Sequence, residues 1–505
     1  MLRPKQCRVL LVILAILAIS CSASTDRLSF HKISSSNLRG ASEASTLTEP
    51  ERYSGYFKLN RTYDAHMFFF YFEAREAPAD APVVLWMTGG PGCSSELAVF
   101  YENGPFTINE DMTLEDNPTG WDVAANMIYV DQPIGTGFSY SEDDRDRCYD
   151  EDCVSNDVLD FLEALWTAKP ELQGKDFYVT GESYAGHYVP AVAHRVYQAI
   201  KNKELGNIDI NLQGFAIGNG LTNPAIQYGA YADYAVEHNL ISSDTRDEIL
   251  QLYPACKLGL EICDGLDFSM ECALAVTFCQ ATMFMPIMLL NPLMNVYDIT
   301  KECQGPLCYD FSRLDKYMNL PETRKALGVR DDSVWQECNM DVHEDMMSDW
   351  AHDFSSIIPE MLSGGVRALI YAGDQDFICN VLGNRRWVDS LQWDQWREWA
   401  NAENVTWATT NDEDAGVVTE VGPLTFLSVK GAGHMVPMDK GENALEMITK
   451  FTRGEKFVDN TSCSGNTRAA VATVASSFAS ARAFLKGDGS PFLRAGRKDG
   501  SVVQK

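Results

Sequence analysis

The residues able to do chemistry in this chain are few, and their order along it matters. Gly181-Glu182-Ser183-Tyr184-Ala185-Gly186 sets a serine between two glycines. An apolar, strand-like run, Phe177-Tyr178-Val179-Thr180, precedes it, and residues 188–200 are compatible with a helix. At a strand-to-helix turn this Gly-x-Ser-x-Gly pattern holds the serine hydroxyl up as a nucleophile. The pattern alone is common by chance, so its meaning depends on what else the chain supplies. A nucleophilic serine needs a base within hydrogen-bond reach, and the base needs an acid to orient it. The chain has 8 histidines. His31 lies in a leader, His66 on an early strand, and His187, His194 and His238 on helix-like stretches. His343 and His352 fall in a cysteine-rich segment. A packed or surface role suffices for all of these. His434 differs, because Lys430-Gly431-Ala432-Gly433-His434-Met435-Val436-Pro437 is a flexible loop after the last strand-like run. The acid should lie between serine and histidine in chain order. Gly373-Asp374-Gln375-Asp376 offers two aspartates there, and the residues alone leave the choice open.

Groups so far apart in sequence need a rigid scaffold. Residues 53–57 and 66–72 read as an opening β-hairpin. Val83-Val84-Leu85-Trp86-Met87 and Met127-Ile128-Tyr129-Val130 are short, unbroken apolar runs, as expected of strands buried on both faces. A helical pattern follows at 157–168, and further strand-like runs occur at 214–217, 367–373 and 425–429. Strands alternating with helices predict an α/β chain of the α/β-hydrolase type, with a mostly parallel central sheet covered by helices on both faces. Between 223 and 360 the rhythm changes to helical and cysteine-rich. That segment reads as an insertion over the C-terminal strand edge, where open α/β sheets bind ligands. It splits the hydrolase core into 51–222 and 361–463.

The net charge of −30 over 505 residues argues against nucleic acid as a partner and suits an acidic compartment. Arg3, Lys5 and Arg8, an apolar run at 9–19 and Cys21-Ser22-Ala23 read as a signal peptide over residues 1–23. No other run is expected to be long and apolar enough to span a bilayer, so the mature chain is expected to have no stable membrane span. Residues 24–50 read as a leader or short pro-segment, and 464–505 as a low-complexity basic tail. Of 14 cysteines, Cys7 and Cys21 fall in the signal, leaving 12, which in a secreted chain read mostly as disulfides. Cys256, Cys263, Cys272 and Cys279 have gaps of 7, 9 and 7. This suits a nested pair, Cys256–Cys279 around Cys263–Cys272, although spacing permits the other two connectivities. Cys303 and Cys308 would close a small loop. A metal site is disfavoured, because no Cys-x-x-Cys pair or histidine cluster lies nearby. Sequons at Asn60, Asn404 and Asn460 agree with passage through the secretory pathway, ending in a vacuole- or lysosome-like compartment or outside the cell.

The catalytic candidates sit within six separate motifs, in order. They are Leu85-Trp86-Met87-Thr88-Gly89-Gly90-Pro91-Gly92-Cys93-Ser94-Ser95, Glu102-Asn103-Gly104-Pro105, Asp131-Gln132-Pro133-Ile134-Gly135-Thr136-Gly137-Phe138-Ser139, the Ser183 motif, Tyr371-Ala372-Gly373-Asp374-Gln375-Asp376-Phe377-Ile378-Cys379-Asn380, and Gly433-His434-Met435-Val436-Pro437. Together they resemble a serine carboxypeptidase of the carboxypeptidase Y type over residues 53–463. The resemblance implies a Ser183–His434–Asp376 triad and an oxyanion hole at the backbone N–H groups of Gly90 and Tyr184. It implies that Trp86, Thr88, Gly89 and Glu182 bind the substrate's terminal carboxylate, with Glu102 and Glu182 as a proton-sharing pair. Cys379 would be an unpaired cysteine near the site, and Met435 would line the leaving-group pocket. A Cys93–Cys338 bridge would tie the oxyanion loop to the insertion. Cys148 and Cys153 would pair locally, and Cys463 has no obvious partner. Thr88 departs from the family's Asn and offers one hydroxyl in place of an amide. The implied activity is release of C-terminal residues from peptides and proteins at acid pH, through an acyl-enzyme and without a metal or organic cofactor, by a monomer or homodimer. The rivals are an acyltransferase, an endopeptidase or an esterase on the same scaffold, and a non-enzymatic protective or chaperone-like role.

Overall fold

The computed structural model describes residues 28–33, 50–263, 269–305 and 307–457. The signal segment, most of the leader, Asn460, Cys463 and the tail lie outside the described residues. The strands, in chain order, are β1 (Leu28–Lys32), β2 (Arg52–Lys58), β3 (His66–Phe72), β4 (Val83–Met87), β5 (Phe106–Ile108), β6 (Leu114–Asp116), β7 (Asn126–Val130), β8 (Asp176–Glu182), β9 (Asn211–Gly218), β10 (Arg367–Gly373), β11 (Val405–Trp407), β12 (Gly416–Val421) and β13 (Leu424–Val429). Strands β5 and β6 form a separate hairpin. The other strands make one 11-stranded sheet in the order β1-β2-β3-β7-β4-β8-β9-β10-β13-β12-β11.

An unbroken apolar strand must bury both faces, and β4 does. Val83, Leu85 and Met87 enter one core, while Val84 and Trp86 enter the core on the opposite face. Strand β8 alternates in the same way, with Phe177 and Val179 on one side and Tyr178 on the other. The strands from β7 through β4, β8, β9 and β10 to β13 are joined by parallel pairings. Both flanks are antiparallel. The sheet is therefore mixed, with a parallel centre between antiparallel flanks. Part of the segment read as a leader is folded: Leu28–Lys32 is the edge strand beside β2.

On one face the helices Glu151–Ala168 and Ala185–Asn202 contribute apolar stripes to the core around Leu85 and Val179. The Asp150 side chain caps the first of them, accepting the Cys153 N–H at 2.8 Å, and Asp152 in the first turn suits the positive helix end. Between β9 and β10 the chain is helical and builds its own core, including Tyr231, Tyr234, Leu260, Val276 and Met283, which Phe377 joins from beyond β10. Disulfides Cys256–Cys279 and Cys263–Cys272 staple its helices Tyr253–Cys263 and Ser269–Cys279 together. The helical stretch Met270–Leu290, with mean hydropathy 1.8, is long and apolar enough to cross a membrane by length and composition. This corrects the expectation that no run beyond the signal meets that test. Its apolar residues are divided: Val276, Met283 and Ile287 pack into the insertion's core, while Leu274 and Leu289 are exposed.

Candidate active site

Parallel strands deliver their exits to one sheet edge. Thr88 to Ser95 follow β4, Ser183 follows β8, Asn219 follows β9, Asp374 and Asp376 follow β10, and the His434 loop follows β13. Ser183 lies at φ +68°, a left-handed conformation rarely held by a residue with a side chain. The turn is clamped by its neighbours, since the Ser183 N–H donates to the Gly218 carbonyl at 3.1 Å and its own carbonyl accepts the Leu221 N–H at 2.9 Å. The second motif glycine is a packing requirement: a Cβ on Gly186 would lie 2.4 Å from the Leu221 carbonyl oxygen. Ser183 is half-buried, open enough to meet a ligand.

His434 and Asp376, 58 residues apart, meet at 2.9 Å through Nδ1 and Oδ2, and both are buried. Asp376 also accepts Asn219 Nδ2 at 2.8 Å, the Ile378 N–H at 3.1 Å and the Cys379 N–H at 3.3 Å. Those donors hold the carboxylate in place while it orients the imidazole. Asp374 points elsewhere and accepts the Gly431 N–H at 2.7 Å, which steadies the histidine loop. The insertion supports the loop as well. The His434 N–H donates to the Tyr297 carbonyl at 2.7 Å, and the Tyr297 ring packs 5.1 Å from the imidazole, centroid to centroid. His434 Nε2 is buried with no hydrogen-bond partner among the described residues, so it is available to take a proton.

The loop after β4 runs beside the serine turn. A Cβ on Gly89 would lie 2.4 Å from the Tyr184 nitrogen, so only glycine allows this approach. Among the described residues neither the Gly90 nor the Tyr184 N–H has a hydrogen-bond acceptor. The disulfide Cys93–Cys338 joins this loop to the insertion. Trp86 is buried and its indole N–H donates to Thr88 Oγ1 at 3.0 Å. The Thr88 hydroxyl proton therefore remains free to donate to a ligand. Glu102 and Glu182 are both buried and hydrogen-bond each other. Burial pushes both carboxyls above the usual range, and the charge of Glu102 raises Glu182 further. Each keeps an Oε2 atom without a partner among the described residues.

Cys379 is a buried free thiol beside Asp376, and Met435 is buried next to His434. Cys148 pairs with Cys153 and Cys303 with Cys308. Cys148, Cys153 and Asp157 converge as metal ligands might be expected to, but the two sulfurs are bonded to each other. Asn60 and Asn404 are exposed. Sequence reasoning missed Asn219 and Tyr297. Gly218-Asn219-Gly220 at a strand end was a signal for the first, while nothing in the sequence marked Tyr297.

The sequence model for the serine carboxypeptidase family matches residues 43–454. The chain belongs to the serine carboxypeptidase family. It is 48% identical over 419 residues to serine carboxypeptidase-like 48 of Arabidopsis thaliana, covering 83% of this chain and 81% of that protein. It is 50% identical over 403 residues to serine carboxypeptidase 3 of Hordeum vulgare, covering 80% of this chain and 78% of that one. Its structure resembles the prohormone-processing carboxypeptidase Kex1 of Saccharomyces cerevisiae, with TM-score 0.76, 25% identity, and coverage of 85% of this chain and 97% of that chain. As a serine carboxypeptidase the chain is a peptidase with an α/β-hydrolase fold and a mixed central sheet.

Proposed function

We propose that this serine carboxypeptidase removes C-terminal residues from peptides and proteins at acid pH, with Ser183 as nucleophile, His434 as general base and acid, and Asp376 as orienting acid. The observation that carries the reading is the buried 2.9 Å His434–Asp376 bond on the same strand edge as the left-handed Ser183 turn. Ser183 Oγ attacks the scissile carbonyl carbon while His434 Nε2 takes its proton. The carbonyl oxygen becomes an oxyanion facing the Gly90 and Tyr184 N–H groups. As the C–N bond breaks, His434 returns the proton to the leaving amine, and water then hydrolyses the Ser183 ester by the same relay.

The carboxyl pair supplies exopeptidase selectivity. Protonated Glu102 and Glu182, with the Thr88 hydroxyl and the Gly89 backbone, donate to the substrate's terminal carboxylate. Trp86 fixes the Thr88 hydroxyl, and Met435 and Cys379 border the bound residues. The threonine offers one donor where the family's asparagine offers two, so the carboxyl pair bears more of the binding here. The disulfides and exposed sequons fit a protein of the secretory pathway, and the raised carboxyls fit an acidic compartment there.

The test is product analysis with N-blocked dipeptides at acid pH. Release of the free C-terminal amino acid by the wild type, absent in Ser183→Ala, supports the reading. Ester formation with an added alcohol in place of hydrolysis would assign the chain to acyl transfer.

A further inference from the structure

Behind the nucleophile turn lies a buried polar cluster that the catalytic steps above do not use. The Tyr184 ring is buried, stacked on His187 at 4.6 Å and packed against Tyr188 at 5.2 Å and Trp350 at 5.3 Å, centroid to centroid. Its hydroxyl donates to Asp349 Oδ2 at 3.1 Å. Asp349 belongs to the insertion, is 2% exposed, and has no lysine or arginine partner among the described residues. Its Oδ1 accepts the Glu151 N–H at 3.4 Å and lies 3.3 Å from His352 Nδ1. That N–H is the first of the helix Glu151–Ala168, whose positive end suits an anion. Glu151 does not compete for these donors: both its carboxyl oxygens are buried without partners among the described residues, and burial and the Asp349 charge push its carboxyl well above the usual range.

One carboxylate thus joins the serine turn, the start of a core helix and the insertion. The turn needs such support. Ser183 sits at φ +68°, and a strained residue persists only where its surroundings over-determine it. In the mechanism proposed above the Tyr184 backbone N–H faces the developing oxyanion, and the phenol of the same residue is held by Asp349.

We propose that Asp349 is a positioning residue of the oxyanion hole: through the Tyr184 hydroxyl it fixes the direction of the Tyr184 N–H, and so acts on the transition state without touching substrate. The inference rests on the oxyanion-hole reading given above. A purely structural bond would lower stability alone. A positioning bond lowers kcat and affinity for tetrahedral mimics while leaving ground-state binding in place.

The experiment compares wild type, Tyr184→Phe, Asp349→Ala, Asp349→Asn and the Tyr184→Phe/Asp349→Ala pair. For each, kcat and KM on an N-blocked dipeptide, affinity for a peptide boronate and affinity for an N-blocked amino acid product are measured. Loss of a whole oxyanion donor costs about 100-fold or more, so misdirecting one is expected to lower kcat and boronate affinity about tenfold. KM and product affinity should stay within about twofold. The double variant should be no worse than the worse single one, because both remove the same bond. Asp349→Asn retains an acceptor oxygen and should recover most of the loss. Tyr184→Phe keeps the ring and its packing, so the inference stays open to refutation if Asp349→Ala fails to fold. Tyr184→Phe with wild-type kcat and boronate affinity overturns this inference alone. A wild type that neither hydrolyses the dipeptide nor binds the boronate overturns the hydrolase reading and this inference with it.

Discussion

Replacing Glu102 and Glu182 together by glutamine should remove the pH dependence of substrate affinity. In the native site burial pushes Glu102 up to about 7, and Glu182, which also feels the Glu102 charge, is raised well above the usual carboxylate range. At acid pH the pair is protonated and donates to the substrate's carboxylate. As pH rises through the Glu102 value, a negative charge appears beside that carboxylate. The favourable form then falls about tenfold per pH unit, and KM rises in step. The rise has a ceiling. Two unit charges about 5 Å apart at an effective dielectric of roughly 20 repel by about 3 kcal/mol, or roughly a hundredfold in affinity. Glutamine keeps a donor and cannot ionise, so the double variant should show less than about a twofold change in KM from about pH 6 to about pH 8, where wild type rises about tenfold. The assay is steady-state kinetics on an N-blocked dipeptide across that range, with the matching dipeptide amide as a control that has no terminal charge to repel. An unchanged wild-type slope in the double variant would refute the reasoning, as would an equal slope with the amide.

The other predictions concern stability and support of the triad. Burial raises Glu96, Asp131, Glu151 and Glu182, and neighbouring carboxyls raise Glu96, Glu151 and Glu182 further. A carboxyl raised in the folded state contributes stability fully present below its unfolded value and lost as pH rises through its folded value. Tm should therefore be highest in mild acid and fall toward neutral and alkaline pH, and scanning calorimetry that finds Tm climbing from about pH 5 to about pH 8 contradicts this. Asn219→Ala removes a 2.8 Å bond to Asp376 and should lower kcat about tenfold with KM within about twofold, since it loosens the acid without touching substrate. The Cys93→Ser/Cys338→Ser pair opens a crosslink spanning 245 residues. By loop entropy its loss destabilises the chain by about 5 kcal/mol, which a denaturant titration would read, and a midpoint equal to wild type would count against it.

Legibility in the sequence follows the strength of the physical signal. Central strands such as β4 and β8 were readable because burial on both faces leaves an unbroken apolar run. The edge strands were not. Strand β11 has three residues, and β1 lies within a stretch whose composition suggests a leader. Strand β12 lies in the antiparallel flank between β13 and β11, and its Gly-Val-Val-Thr-Glu-Val run carries polar residues. The order of Ser183, Asp376 and His434 was visible, but the choice between Asp374 and Asp376 needed the resemblance, and the geometry that separates their contacts appears only in the fold. Cys93–Cys338 was likewise accessible only by resemblance, because a separation of 245 residues carries no pairing information. Asn219, Tyr297 and Asp349 were missed. Each reaches the site by the juxtaposition of segments far apart in sequence, and only Asn219, set between two glycines at a strand end, has a neighbourhood that hints at it.

Labelling the nucleophile tests the role of Ser183 most directly. The protein is treated at acid pH with a serine-directed phosphonate, digested, and the adduct located by mass spectrometry while residual release of C-terminal amino acids is followed. One adduct per chain is expected, on Ser183, rising in step with loss of activity, absent from Ser183→Ala and greatly slowed in His434→Ala. An adduct on another residue, or amino acid release that survives full modification of Ser183, would contradict it.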